Sequence, residues 1–162
     1  MTTPIRPTDD EARALARRLM TDARHGALAV IDTATGAPFV SRVAVGHDGV
    51  APMLLVSTLS QHTRALQVDP RCALLLGEPG GKGDPLTHPR LTIQGEAITA
   101  CKAAGRAAWL AQHPKAGLYV DFADFILLRI DVTSAFLNGG FGRAFQLGPA
   151  DLIGAAAPGP DA

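Results

Sequence analysis

Apolar residues fall in two rhythms along this chain. Between Asp9 and about Arg24, the positions Ala12, Leu15, Ala16 and Leu19 recur at helical spacing, with Thr8 placed to cap and Asp9, Asp10 and Glu11 suited to a first turn. Gly26 marks the stop of that helix. Short apolar runs follow: 27–31, 39–45, 52–56, 71–76, 91–100 and 125–132. Their lengths and flanking turn residues predict strands. Thr33-Ala34-Thr35-Gly36 predicts a hairpin between the first two, and Gly46-His47-Asp48-Gly49 a further turn. Gly95 inside the fifth run marks a bulge or a close approach. Residues 61–68 predict a short helix stopped by Pro70, and residues 102–112 a longer one ended at His113-Pro114. The Gly- and Pro-rich segment 77–89 reads as an exposed loop. Six strands with few helices predict a mainly β (α+β) domain, a closed or nearly closed six-stranded antiparallel barrel with flanking helices. It would occupy residues 9–150, between a flexible lead-in at 1–8 and a disordered tail at 151–162.

Charge and composition narrow the function classes. Fifteen acidic residues balance fifteen basic ones, so no net field draws the chain to nucleic acid or to an anionic membrane. No apolar run is long enough to span a bilayer, and the N-terminus lacks the apolar core of a signal peptide. Cys72 and Cys101 stand alone, without a CxxC partner, and read as reduced thiols of a cytoplasmic protein. The five histidines show no HxxxH or HExxH spacing, so no preformed metal site is expected. GxSxG and the Walker motif are both missing.

One run carries most of the candidate chemistry: Ser57-Thr58-Leu59-Ser60-Gln61-His62-Thr63-Arg64. It takes the chain from a strand end into a helix start, where unpaired N–H groups and the positive end of the helix dipole favour an anion. Thr58, Ser60 and Thr63 add hydroxyls, and Arg64 adds a fixed charge with a fork of donors. An ordinary capped helix, with Ser60 as cap and Arg64 in water, accounts for the same residues. Phe39-Val40-Ser41-Arg42-Val43-Ala44-Val45 is a strand broken by a serine and an arginine on opposite faces. It reads either as a strand with one solvent face or as a backbone track for a flat ligand. Arg90 enters a strand, where it faces either water or a ligand. In Gly139-Gly140-Phe141-Gly142-Arg143, Phe141 can stack on a planar ring and Arg143 can pair an anion, or the segment is simply a flexible turn.

Taken in order, these segments resemble a known pattern. Phe39-Val-Ser-Arg-Val, Ser57-Thr-Leu-Ser-Gln-His-Thr-Arg, Asp69-Pro-Arg, Gly83-Asp-Pro-Leu-Thr-His-Pro-Arg-Leu, Tyr119-Val-Asp-Phe-Ala-Asp-Phe and Gly139-Gly-Phe-Gly-Arg-Ala are similar to the pyridoxamine 5′-phosphate oxidase-like, FMN-binding split β-barrel superfamily. Within it, the heme-utilisation (HugZ-type) branch is the nearest likeness. The resemblance implies a six-stranded split barrel, a homodimer, and FMN at the subunit interface. It matches Ser41, Arg42, Val43 and Ala44 to the strand along the flavin, Ser57 and Thr58 to the pair after the next strand, and Thr63 and Arg64 to the phosphate-binding pair, with His62 beside it. Arg90 and Leu91 correspond to a flavin-contacting strand of the second subunit. The oxidases' C-terminal Trp and Arg-Leu-His signature is missing, so pyridoxamine phosphate oxidation is not implied.

The leading expectation is therefore an FMN-binding oxidoreductase acting on a small-molecule redox substrate, with no assigned catalytic side chain. A non-catalytic flavin or heme carrier or sensor is the alternative, and a purely structural dimerisation domain is a third. Neither the electron donor nor the use of a deazaflavin in place of FMN is decided by these residues.

Overall fold

The computed structural model of the chain describes residues 5–154. The first helix, α1, runs Asp10–Asp22. Asp9, not Thr8, is its cap: the Asp9 carboxylate accepts the Ala12 N–H at 2.8 Å, while the Thr8 hydroxyl donates to the Gln146 carbonyl at 2.8 Å. Ala12, Ala16 and Met20 bury one stripe of α1, and Leu15 and Leu19 pack beside them. The helix ends before Gly26, which lies within a strand. There a Cβ would stand 2.8 Å from the Leu75 carbonyl oxygen, so the glycine is needed for close strand approach.

Nine strands form one mixed sheet: β1 (Ile5–Arg6), β2 (His25–Ile31), β3 (Pro38–Ala44), β4 (Gly46–His47), β5 (Pro52–Ser57), β6 (Arg71–Leu76), β7 (Arg90–Thr99), β8 (Phe125–Asn138) and β9 (Ala144–Leu147). The order is β1-β9-β8-β7-β6-β2-β3, with β5 on β8 and β4 on β5. All pairs are antiparallel except β1 with β9. This corrects the six-stranded, closed or nearly closed, antiparallel expectation in three ways. Three short strands are added, one pairing is parallel, and no ladder joins β3 to β5, so the sheet is not closed.

The segment β8 runs six residues past the expected end at Val132, because the register shift between Gln94 and Gly95 lets its ladder with β7 continue. A Cβ at residue 95 would collide with the Asp131 carbonyl, so the predicted close approach is the Gly95–Asp131 crossing. Helix α2 (Gln61–Val68) follows β5, α3 (Lys102–Gln112) follows β7, and α4 (Pro149–Leu152) ends the described chain.

The large core lies inside the curved sheet, where Leu28, Leu54, Leu74, Leu91, Ile93, Ile130 and Leu137 meet α1 and α2. A second core, with Met53, Leu55, Trp109, Ala116, Val120 and Leu127, lies beneath α3. Strand β5 separates the two. Leu54 and Val56 enter the first and Met53 and Leu55 the second, which is why this strand is apolar without alternation. Ile5 and Arg6, expected in a flexible lead-in, pair with β9. Residues 151–152, expected in a tail, close α4, where Asp151 meets Arg13 at 2.7 Å. Residues 155–162 lie outside the described part.

Candidate functional site

Strand β5 delivers the chain into a latched turn. The Ser57 hydroxyl donates to Asp124 Oδ2 at 2.6 Å and accepts the Leu59 N–H at 3.1 Å. The Thr58 N–H donates to the Asp124 carbonyl at 2.8 Å, and the Ser60 N–H to the Ser57 carbonyl at 3.0 Å. Ser57 is thereby committed to holding the turn against the segment that leads into β8. Asp124 has no local signature in the sequence; the latch spans 67 positions.

The turn opens into α2 with its donors unused. Ser60 is the cap residue, yet its side chain makes no capping bond. Its carbonyl accepts the Arg64 N–H at 3.1 Å, while the N–H groups of Gln61, His62 and Thr63 have no acceptor among the described residues. Thr63 is 0% exposed and its Oγ1 has no hydrogen-bond partner. A buried hydroxyl left this way costs about 1–3 kcal/mol. Arg64 is exposed and forms no ion pair among the described residues. An anion seated here would find backbone donors, a guanidinium and the positive end of a helix together.

Helix α2 is tied to the hairpin of β2 and β3. His62 Nδ1 lies 3.0 Å from Ser41 Oγ on β3, and Gln61 Nε2 donates to Asp32 at 3.5 Å. Burial lowers the pKa of the His62 imidazole from the ordinary histidine value, which favours its neutral form. On β3, Ser41 and Val43 turn inward and Arg42 is exposed beside Val40, as the alternation required. Val43 is a core residue, so only its backbone is open to a ligand. Strand β3 pairs with β2 alone. Its other edge keeps unpaired N–H and C=O groups and looks onto α2 and β5.

The structure brings Ser41, His62, Thr63 and Arg64 into one corner, with Ser57 and Thr58 in the turn that leads to it, whereas Arg42 points to the opposite face of β3, Val43 lies in the large core and Ala44 packs against the second core. It places Arg90, Leu91 and Phe141 in another. Arg90 Nη1 donates to the Leu86 carbonyl at 2.9 Å and steadies the turn before β7. The Leu91 side chain is 0% exposed in the core, and Phe141 is 95% exposed on the loop between β8 and β9. Arg143 pairs with Glu11 at 3.0 Å. Beside the latch lies an aromatic group not singled out as a site in the sequence: Phe125 meets Tyr119 at 4.9 Å and Phe122 at 6.5 Å between ring centroids.

No helix among the described residues is long and apolar enough to cross a membrane. The family model described as "CREG, beta-barrel" matches residues 7–152. The chain is 39% identical over 104 residues to the non-canonical heme oxygenase HOZ, chloroplastic, of Arabidopsis thaliana, a match covering 56% of this chain and 30% of that protein. A solved heme binding protein from Mycobacterium smegmatis is 33% identical with a TM-score of 0.82, over 92% of this chain and 61% of that one. The protein Atu2129, of unknown function, from Agrobacterium tumefaciens is 32% identical with a TM-score of 0.77, over 96% of this chain and 65% of that one. This chain therefore spans less than two thirds of each of these relatives. The resemblance to the split-barrel superfamily holds, and the chain belongs to the CREG β-barrel family.

Proposed function

We propose that this chain binds FMN, with the phosphate at the start of α2 and the ring along the free edge of β3, and acts as an oxidoreductase on a small molecule. The observation that carries this reading is the uncommitted first turn of α2: three N–H groups, the buried Thr63 hydroxyl and the Arg64 guanidinium, none of which has a partner among the described residues. These residues fit a phosphate in charge and in donor chemistry. FMN supplies the hydride and electron exchange when bound. The chain's own residues grip the anion, present strand backbone to a flat ring, and hold the His62 imidazole beside it.

A homodimer completes this reading, with Arg90, the Leu91 backbone and Phe141 contributed by a second copy. An uncovered sheet face supports it. Arg42, Ala27, Leu75, Thr92 and Phe136 follow one another across five strands, and Leu75 and Phe136 remain 43% and 41% exposed.

Titration with FMN and with riboflavin, which lacks the phosphate, tests the proposal. FMN binds at least about tenfold more tightly if the first turn of α2 holds an anion through charge-assisted bonds. Equal affinities, or colourless purified protein that takes up no flavin, overturn it. Bleaching of the yellow protein by NADH or NADPH separates an enzyme from a carrier.

A second reading, heme binding, draws on the heme oxygenase and heme binding protein among the relatives. The same donors suit a heme propionate, and a Soret band on adding hemin distinguishes it.

A further inference from the structure

We infer that Asp124 is the positioning residue of the anion site: acting through Ser57, it fixes the turn 57–60 so that the next three backbone donors stay open together at the start of α2. The inference rests on the reading that this first turn grips a phosphate, and it names the residue that sets the grip.

The backbone donors change role at one residue. The Thr58 N–H goes to the Asp124 carbonyl at 2.8 Å, the Leu59 N–H to Ser57 Oγ at 3.1 Å and the Ser60 N–H to the Ser57 carbonyl at 3.0 Å. Those of Gln61, His62 and Thr63 have no acceptor among the described residues. The Ser60 side chain, which makes no capping bond, does not set this boundary. The turn does, and Asp124 anchors it twice: its carbonyl holds Thr58, and its carboxylate accepts the Ser57 hydroxyl at 2.6 Å. A serine hydroxyl has one proton and rotates to suit its neighbours. With that proton on Asp124 Oδ2, Ser57 Oγ keeps its lone pairs for the Leu59 N–H. A carboxylate is a poor neighbour for a phosphate in charge, so what Asp124 contributes here is an acceptor in a fixed place.

Asp124 is itself held from the far side. Lys102, the first residue of α3, donates through Nζ to the Phe122 carbonyl at 3.0 Å and the Phe125 carbonyl at 2.8 Å, on either side of Asp124 in the chain. Arg106 pairs with Asp121 at 2.7 Å. Contacts thus run from α3 through residues 121–125 to the turn and on to α2. The start of α3 also lacks a side-chain cap, but its cation, Lys102, is engaged by those carbonyls and its first turn holds no orphaned hydroxyl. Of these two helix starts, only that of α2 joins open donors to Thr63 and Arg64.

Binding of FMN and of riboflavin to the full chain, measured on four variants, tests this. The wild type is expected to prefer FMN by at least about tenfold. Asp124→Ala lowers that preference by at least about fivefold and leaves riboflavin affinity within about twofold, because only the hold on the anion is loosened. Asp124→Asn keeps the acceptor without the charge and keeps the preference. Ser57→Ala removes the same bond from its other end and matches Asp124→Ala, so the result stands if the aspartate variant folds poorly. The double variant loses no more preference than either single one, since the two residues act as a unit. A readout without flavin is the NMR signals of the Gln61, His62 and Thr63 amides: inorganic phosphate shifts them in the wild type and in Asp124→Asn, and less in Asp124→Ala. The wild-type preference in Asp124→Ala overturns the inference and leaves the flavin reading intact. So do an additive loss in the double variant and a lost preference in Asp124→Asn. Equal weakening of FMN and riboflavin overturns it as well, because the latch then serves the fold and not the anion. A wild type that binds FMN and riboflavin equally overturns the flavin reading and this inference together.

Discussion

Two corners of this molecule set a short helix and a histidine against the sheet, and they treat their polar groups in opposite ways. At the C-terminal end of α3, Gln112 accepts the His47 N–H at 3.0 Å and donates to the His47 carbonyl at 2.8 Å. His113 reaches the Val45 carbonyl and stacks on Trp109 with ring centroids 4.4 Å apart. Apart from the buried Trp109 Nε1, which has no partner among the described residues, Gln112 and His113 are spent on the protein itself. At the start of α2 the reverse holds: three backbone donors, a buried hydroxyl and a guanidinium stay uncommitted beside a helix that is otherwise well packed through Ala65 and Leu66. A fold that satisfies one corner and leaves the other open is stabilised at the first and equipped for an anion at the second.

Trp109 offers the largest effect by which to break this contrast. Trp109→Ala empties the second core and is expected to cost about 3–5 kcal/mol of unfolding free energy in a urea titration. FMN affinity of the folded fraction should not move. Arg64→Ala is expected to behave in the opposite way. FMN binding weakens by about 1.5–3 kcal/mol, the range for hydrogen bonds to charged groups, with stability within about 0.5 kcal/mol of wild type. If the arginine variant loses stability and keeps its affinity, the two corners do not differ as described.

Thr63→Val sharpens the contrast with a change of sign. The substitution keeps the shape and removes the orphaned hydroxyl, so the ligand-free protein is expected to gain about 1 kcal/mol in urea unfolding. The same change should weaken FMN binding, because the hydroxyl's partner is then the ligand. A variant that is less stable without ligand would mean that Oγ1 is already satisfied in the free protein.

How far these corners could be read in advance depends on the range of the contacts that build them. Helices α2 and α3 and strand β6 fall where local rhythm and Pro70 and Pro114 put them. Strands β1 and β4 have two residues each and β9 four, too short to show any period, and they exist only because β9, β5 and β8 respectively offer edges. The far half of β8 hides behind Thr133 and Ser134, polar residues that face outward once the bulge at Gly95 has reset the register. The hydroxyl-rich start of α2 was legible because it is contiguous. Its bond to Ser41 spans 21 positions and the Ser57–Asp124 latch 67, and neither leaves a local trace. Arg90 and Leu91 join that site by resemblance and Phe141 by its own chemistry, and the register of β7 on β8 and the loop after β8 carry them to a different corner of the same chain.

The smallest effect compares two helix caps. Asp9 caps α1 with a 2.8 Å bond to the Ala12 N–H, whereas Ser60 stands at the cap of α2 and bonds nothing through its side chain. Asp9→Ala is therefore expected to lower stability by about 1 kcal/mol, the usual loss for a working cap. Ser60→Ala should change it by less than about 0.5 kcal/mol, as for a side chain with no partner. Residue type alone predicts similar losses at both sites, since serine and aspartate are equally good caps. Only the bonding separates them. If unfolding in urea shows equal losses, Ser60 caps α2 in solution, its hydroxyl takes one of the three first-turn donors, and the anion site is smaller by that one group. If the losses differ as expected, all three donors remain for a ligand.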